Sequence, residues 1–337
     1  MSEYGSHPTI YGGLSDLELY RMYRWDSWHR LDEDHRQQLL QETVNRAALQ
    51  NGEKGSCRVV FADLDSSVAG AQSGQTITVN RSLYADDLRM TAKNGVLQSE
   101  TKIGNNMDAL TTVLHEDQHA YQNQIIDGTV PAPDPALRAE YAANNFNHVT
   151  ITEPDGSERR GLTYIQGHDS QFGYSLYYLQ STERDAHRFS EERTVQIMDM
   201  LEQDGGNEPS FDEYRKELAA NGYAAAVEHA QELFGNDAVE QEVNQSLMNH
   251  VYGSDEAVTP EIDRLVEHEM IATYEGQYHF ASVSAQVETE SVSEAGASVS
   301  PEIPECAGAL TADSTESAGT CETSPDIEDG LEEGGIE

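Results

Sequence analysis

Residues 113–122 read V-L-H-E-D-Q-H-A-Y-Q, and His115, Glu116 and His119 fall in the pattern H-E-x-x-H. On an α-helix, residues four apart lie one above the other on the same face. His115 and His119 therefore offer two imidazole nitrogens to one metal ion, and zinc is the ion this pattern suits. Glu116 is offset by one residue. A carboxylate in that place takes a proton from an activated water rather than binding the ion itself. Met107, Leu110, Val113, Leu114 and Ala120 run an apolar stripe at helical spacing through the same segment. The motif is thus expected on a buried helix, capped at its start by Asn105 or Asn106. Two imidazoles and a carboxylate on a buried helix are costly without partners, and a metal ion is the most economical one.

A hydrolytic zinc site ordinarily takes three protein ligands and keeps one position open. The downstream stretch L-Q-S-T-E-R-D-A-H, residues 179–187, offers Glu183. Ser181 or Thr182 would cap a helix there, and Ala186, Phe189, Val195, Ile197 and Met198 would continue it to about Gln203. Small Ala186 would allow close packing on the metal helix. His187, one turn after Glu183, competes for the same role or would orient a ligand. Gln122, one turn after His119, is a poor zinc ligand and fits a supporting role. Tyr164, Tyr174, Tyr177, Tyr178 and His168 crowd the approach to this second helix. A tyrosine or histidine there could hold a developing oxyanion, or serve only in packing, and the sequence does not choose.

H-E-x-x-H followed by a separate helix with E-x-x-A resembles the gluzincin-type zinc metallopeptidases, above all the compact ImmA/IrrE-type and related mobile-element peptidases. The likeness spans roughly residues 57–200. It implies an α+β zincin-like core binding one zinc ion through His115, His119 and Glu183, with Glu116 as general base and a peptide or protein as substrate. The spacing between the two motifs is long for the compact members, which implies an insertion at about 128–170.

The elements that must position these residues follow from patterning. Residues 1–13 read as a flexible lead. Ser15-Asp16-Leu17-Glu18 is a capping box opening a helix through Trp25 and Trp28, which read as packing residues. Asp32 opens a second helix to about Gln50. Residues 58–62 and 76–80 read as strands, with a small-residue loop at 66–75 between them. The outer strand of such a sheet would lie beside the cleft, where an extended peptide could add as another strand. A short helix is expected at 83–93. Beyond the metal helix come a proline-rich bridge, a helix from Ala136 to about Asn147, and strands at 149–152 and 161–165 joined by the turn signal Pro154-Asp155-Gly156-Ser157. Four further helices are expected between 211 and 274.

Composition bounds the partners. Asp and Glu number 61 against 20 Lys and Arg, for a formal charge of −41. That excludes a phosphate-binding basic surface and disfavours anionic membranes, so neither nucleic acid nor membrane is an expected partner. There is no apolar run long enough to span a bilayer and no secretory signal pattern. Cys57, Cys306 and Cys321 are too few and too scattered for a disulfide framework. A cytoplasmic location is expected, with leaderless export left open. From about Ala281 the chain has no Lys or Arg and no aromatics, and is expected to be disordered. The resulting division is 1–56 helical lead, 57–205 catalytic core, 206–280 helical appendage and 281–337 acidic tail. Two rival functions remain alongside peptide hydrolysis. One is a zinc-binding scaffold without hydrolytic activity; the other is a hydrolase acting on a non-protein amide. Oligomeric state is not legible.

Overall fold

In the computed structural model, which describes residues 5–64, 68–85, 87–93, 96–167 and 171–291, three strands form a small mixed sheet. β1 (Arg58–Ala62) runs parallel to β3 (Thr76–Asn80), with Val59 opposite Ile77 and Phe61 opposite Val79. β2 (Gly70–Ser73) pairs antiparallel on the other side of β3 and is an edge strand. Alternation puts Val59, Phe61, Ile77 and Val79 into the core, each nearly inaccessible, as expected of a half-buried strand. The segment expected to be a loop therefore contains the sheet's edge. Its small polar residues carry little strand propensity, and backbone pairing to β3 supplies what the side chains do not.

Three helices precede the sheet: α1 (Asp16–Arg21), α2 (Trp25–Trp28) and α3 (Glu33–Asn51). The capping box at Ser15 forms as expected, but the first helix breaks between Arg21 and Trp25. The supposed flexible lead packs along α3: Tyr11 is buried, Thr9 Oγ1 donates to Glu42 Oε2 at 2.8 Å, and Asn45 Nδ2 donates to the His7 carbonyl at 2.7 Å. Where a helix was expected at 83–93 there is a single turn, α4 (Arg81–Tyr84), then an antiparallel hairpin of β4 (Leu88–Lys93) and β5 (Val96–Thr101). Leu88, Met90 and Ala92 alternate with Arg89, Thr91 and Lys93, and Asn94-Gly95 is a strong hairpin signal. The helical reading passed over both.

α5 (Asn105–Ile126) is the central helix. Gly104 at φ 100° is its N-cap, and neither Asn105 nor Asn106 caps it through a side chain. Both are instead fully buried anchors. Asn105 Nδ2 donates to the Leu83 carbonyl at 2.8 Å, and Asn106 Nδ2 to that of Tyr23 at 2.7 Å. α6 (Pro135–Ala143) follows, then a hairpin of β6 (His148–Thr152) and β7 (Glu158–Leu162), α7 (Gln171–Leu179) and α8 (Ser181–Gly205). The chain ends in α9 (Pro209–Asn221), α10 (Tyr223–Phe234), α11 (Val239–Tyr252) and α12 (Pro260–Ser291). α12 thus enters the segment expected to be disordered; residues 292–337 lie outside the described residues.

The architecture is α+β and mostly helical, with two main cores. One joins α1–α3, the sheet, α5, α8 and α9 through residues such as Trp28, Leu40, Ile77, Leu110, Met198 and Phe211. The other joins the β6–β7 hairpin, α7, α10, α11 and α12 through Ile151, Leu176, Val243, Val266 and Met270. The hairpin and the late helices thereby bury one another's apolar faces. Among the described residues, no helix is long and apolar enough to cross a membrane.

Behind α5, on the side of α3, lies a buried acidic group. Asp117 is wholly inaccessible, and its carboxyl oxygens have no hydrogen-bond partner among the described residues. Nearby Glu53, 4% exposed, accepts from Gln124 Nε2 at 3.0 Å. Burial pushes the Glu53 carboxyl up from an ordinary 4.5 to about 7. Between those values the folded chain holds a proton that the unfolded chain has lost. Stability should therefore fall as pH rises from 4.5 to 7, by up to about 1.4 kcal/mol per pH unit for one group. Urea unfolding across that range is expected to show this fall, and Glu53→Gln to reduce its slope. An unchanged slope would contradict it.

Candidate metal centre

Two helices converge on one point. His115 and His119 project from α5 with their Nε2 atoms 3.1 Å apart. Glu183, in the first turn of α8, places Oε2 3.3 Å from His115 Nε2 and Oε1 3.4 Å from His119 Nε2. A tetrahedral ion with ligand bonds of about 2.1 Å keeps its donors about 3.4 Å apart. The three side chains expected as ligands thus stand at the separations that a shared ion requires. Glu183 is 1% exposed, and its Oε2 has no hydrogen-bond partner among the described residues. A buried carboxylate oxygen left this way, facing two imidazole nitrogens, fits a cation.

Two of the donors are held from behind. Gln122 Oε1 lies 2.9 Å from His119 Nδ1, while Gln122 Nε2 donates to the Thr182 carbonyl at 2.8 Å. A proton on Nδ1 satisfies the amide oxygen and turns the Nε2 lone pair to the site. Tyr164 Oη donates to Glu183 Oε1 at 2.8 Å. The α8 entrance is fixed by buried amides. Asn144 Nδ2 donates to the Thr163 carbonyl at 2.7 Å, Asn144 Oδ1 accepts from the Thr182 amide at 3.1 Å, and Gln180 Nε2 donates to the Ile165 carbonyl at 2.7 Å. Gln180 is the N-cap residue, and neither Ser181 nor Thr182 caps the helix. Asn144 and Gln180 had no motif to mark them, since amides in loops and caps carry no periodic signal.

His187 also faces the site. Its Nε2 is 3.9 Å from Glu183 Oε2, its ring centroid 4.4 Å from that of His115, and its ring stacks on Tyr178 at 4.4 Å. His115, Glu183 and His187 each offer a donor atom within 4.8 Å of the others. Tyr177 packs edge-on against Tyr164 with centroids 6.5 Å apart, in the wall beside Glu183. Tyr174 is 53% exposed on α7, with its hydroxyl 3.1 Å from that of Tyr178. His168 lies outside the described residues.

Glu116 is 7% exposed. Burial, opposed by His119, leaves its carboxyl raised to about 7. The edge strand touches it closely: a Cβ on Gly70 would lie 2.7 Å from Thr112 Cγ2 and 3.3 Å from Glu116 Oε1. Only glycine permits β2 to approach the helix at this point. The two histidines diverge. Burial, with His187 adding to it, pushes His115 down to about 4. Burial also opposes charge on His119, but Glu183 outweighs it and raises this imidazole to about 9. Burial disfavours the Glu183 charge, yet His119 and His115 hold that carboxyl well below its ordinary range. One positive charge at the centre is what the buried carboxylate demands.

The chain matches no protein-family model, no curated protein and no solved structure. The reading of this centre rests on its own geometry. Gln122→Leu should therefore weaken zinc affinity about 10–100-fold by freeing the His119 ring, and cost about 1–3 kcal/mol of stability by leaving the Thr182 carbonyl without its donor. Competition against a chromogenic chelator measures this, and unchanged affinity would deny Gln122 the orienting role.

Proposed function

We propose that the chain is a zinc-dependent peptide-bond hydrolase with a zincin-like core. The observation that carries this reading is the convergence of His115 and His119, their Nε2 atoms 3.1 Å apart, on the two oxygens of Glu183 at 3.3 and 3.4 Å, with Glu116 next to His115 on the same helix. Zinc held by those three side chains would activate a water and polarise the scissile carbonyl. Glu116, buried and raised to about 7, is suited to accept a proton near neutral pH and return it to the leaving amine. Gln122 and Tyr164 keep the His119 ring and the Glu183 carboxylate in fixed orientations. β2 is an edge strand beside Glu116, with the Gln72 backbone amide donating to that carboxylate, and an edge beside the site favours an extended peptide over a compact amide.

A second reading has its own observation. His187 Nε2 is covered, has no hydrogen-bond partner among the described residues, and faces Glu183. As a fourth ligand it would close the site and make the centre structural.

Two measurements separate these. Zinc-loaded protein incubated with a diverse peptide mixture should generate new termini detectable by mass spectrometry. Glu116→Gln should keep near-stoichiometric zinc and lose at least about 100-fold of that activity; an active, zinc-loaded Glu116→Gln chain would sink the mechanism. Metal content should fall sharply in Glu183→Ala and stay nearly full in His187→Ala. X-ray absorption showing four protein ligands, with one lost in His187→Ala, would favour the structural centre instead.

A further inference from the structure

A second group of ligand-type side chains lies on the partly exposed flank of the other core, away from the proposed catalytic centre, with His250 17%, Glu267 31% and Asp263 40% exposed. His250 is on α11; Asp263 and Glu267 stand one turn apart on α12. His250 Nε2 is 3.7 Å from Asp263 Oδ1 and 3.6 Å from Glu267 Oε1. Those separations are too long for hydrogen bonds, which run to about 3.2 Å. They approach the donor spacing of about 3.4 Å around a tetrahedral ion. The three donor atoms lie within 4.8 Å of one another. His250 Nε2 is itself covered and has no hydrogen-bond partner among the described residues. A covered imidazole nitrogen facing two carboxylates, hydrogen-bonded to neither, leaves room for a cation among the three donors.

The surroundings fit a small cation. Ser246 Oγ donates to Asp263 Oδ1 at 2.6 Å and fixes that carboxylate, the kind of support that metal ligands usually have. An open cavity of about 500 Å³ adjoins the group, lined by Asn249, His250, Ser254, Asp255, Glu256 and Asp263 among others. It gives a hydrated ion a way in, and Asp255 and Glu256 add negative potential along it. One imidazole with two carboxylates suits a first-row divalent ion better than calcium or magnesium, which prefer oxygen alone.

We propose that His250, Asp263 and Glu267 form a second divalent-cation site, of zinc type, that clamps α11 to α12. The ion ties together two helices whose apolar faces, through Val243, Leu247, Ile262 and Val266, build the second core.

Zinc uptake by the full chain tests this, by equilibrium dialysis at physiological salt with elemental analysis. The double variant His115→Ala/Glu183→Ala disables the first centre without touching the second. That variant should still take up about one zinc per chain saturably, and its thermal midpoint should rise on zinc addition. Adding His250→Ala or the near-isosteric Glu267→Gln should abolish both effects, with circular dichroism checking that the fold persists. The proposal is overturned if the double variant takes up no zinc, or if its uptake survives both second-site substitutions. Unsaturable uptake shared by every variant would also overturn it, as the counterion atmosphere of a chain of charge −41. A chain whose only zinc survives the double substitution but not Glu267→Gln would uphold this site while removing the basis of the proposed hydrolase.

Discussion

The carboxylate of Glu183 sits at 1% exposure in the body of the protein, and the arrangement around it answers that one constraint. An ionised carboxyl taken out of water costs several kcal/mol unless charge and hydrogen bonds replace the solvent. Here His115 and His119 face its two oxygens, Tyr164 donates to one of them, and the N-terminus of a 25-residue helix lies beside it. The helix end contributes a favourable field. The imidazoles contribute a proton that a divalent ion can displace. The divergent behaviour of His115 and His119 follows from the same demand. One positive charge satisfies Glu183, and two would repel each other across 3.1 Å.

Such a group works only if α5 and α8 cannot shift against each other. Polar contacts buried at both ends of α5 secure this. At its start, Arg36 and Asp87 form a bidentate pair at 2.6 and 3.0 Å, Trp28 Nε1 donates to the same carboxylate at 2.9 Å, and Asn105 Nδ2 reaches it at 3.3 Å. Asp87 adopts φ 54° to do so, a conformation that an aspartate holds only when its surroundings impose it. Along the middle, Thr111 Oγ1 lies 3.0 Å from Thr194 Oγ1 of α8 and 2.8 Å from Tyr214 Oη of α9. Near the far end, Gln122 Nε2 of α5 donates to the Thr182 carbonyl of α8 at 2.8 Å. Apolar packing sets the distance between the helices; these directional bonds set their register.

What the sequence made legible was whatever repeats with a helical period or bears a local chemical signature. The H-E-x-x-H spacing, the second helix that bears Glu183 and the Pro154–Ser157 turn belong to that class. What stayed hidden depends on contacts distant in the chain. β2 is G-A-Q-S, a strand only because β3 pairs with it. α7 carries tyrosines at 174, 177 and 178, which stand out in the sequence as chemistry rather than as a helix face. Asn144 and Gln180 hold the α8 entrance through single hydrogen bonds, and no pattern announces such residues. Tyr164 stood out only as one of several aromatics; its hydroxyl became specific once the segment 163–165 was tied to Gln180.

The geometry of α8 also frames the balance between a catalytic and a closed centre. His187 lies one turn after Glu183 and one turn before Glu191, so its ring stands between two carboxylates. Nε2 is 3.9 Å from Glu183 Oε2 and Nδ1 is 3.6 Å from Glu191 Oε1. Glu191 is itself held, accepting the Tyr223 amide at 3.0 and 3.1 Å, and Tyr178 stacks on the ring. His187 is therefore braced from the side of α10 and stands half an ångström farther from Glu183 than the other two imidazoles do. Joining the triangle would draw the ring toward Glu183, away from Glu191. Staying where it is, it lines the approach to the centre, where a histidine can steady charge that develops on a substrate oxygen. The bracing of His187 thus favours an open centre, and the pull of Glu191 against Glu183 sets how firmly.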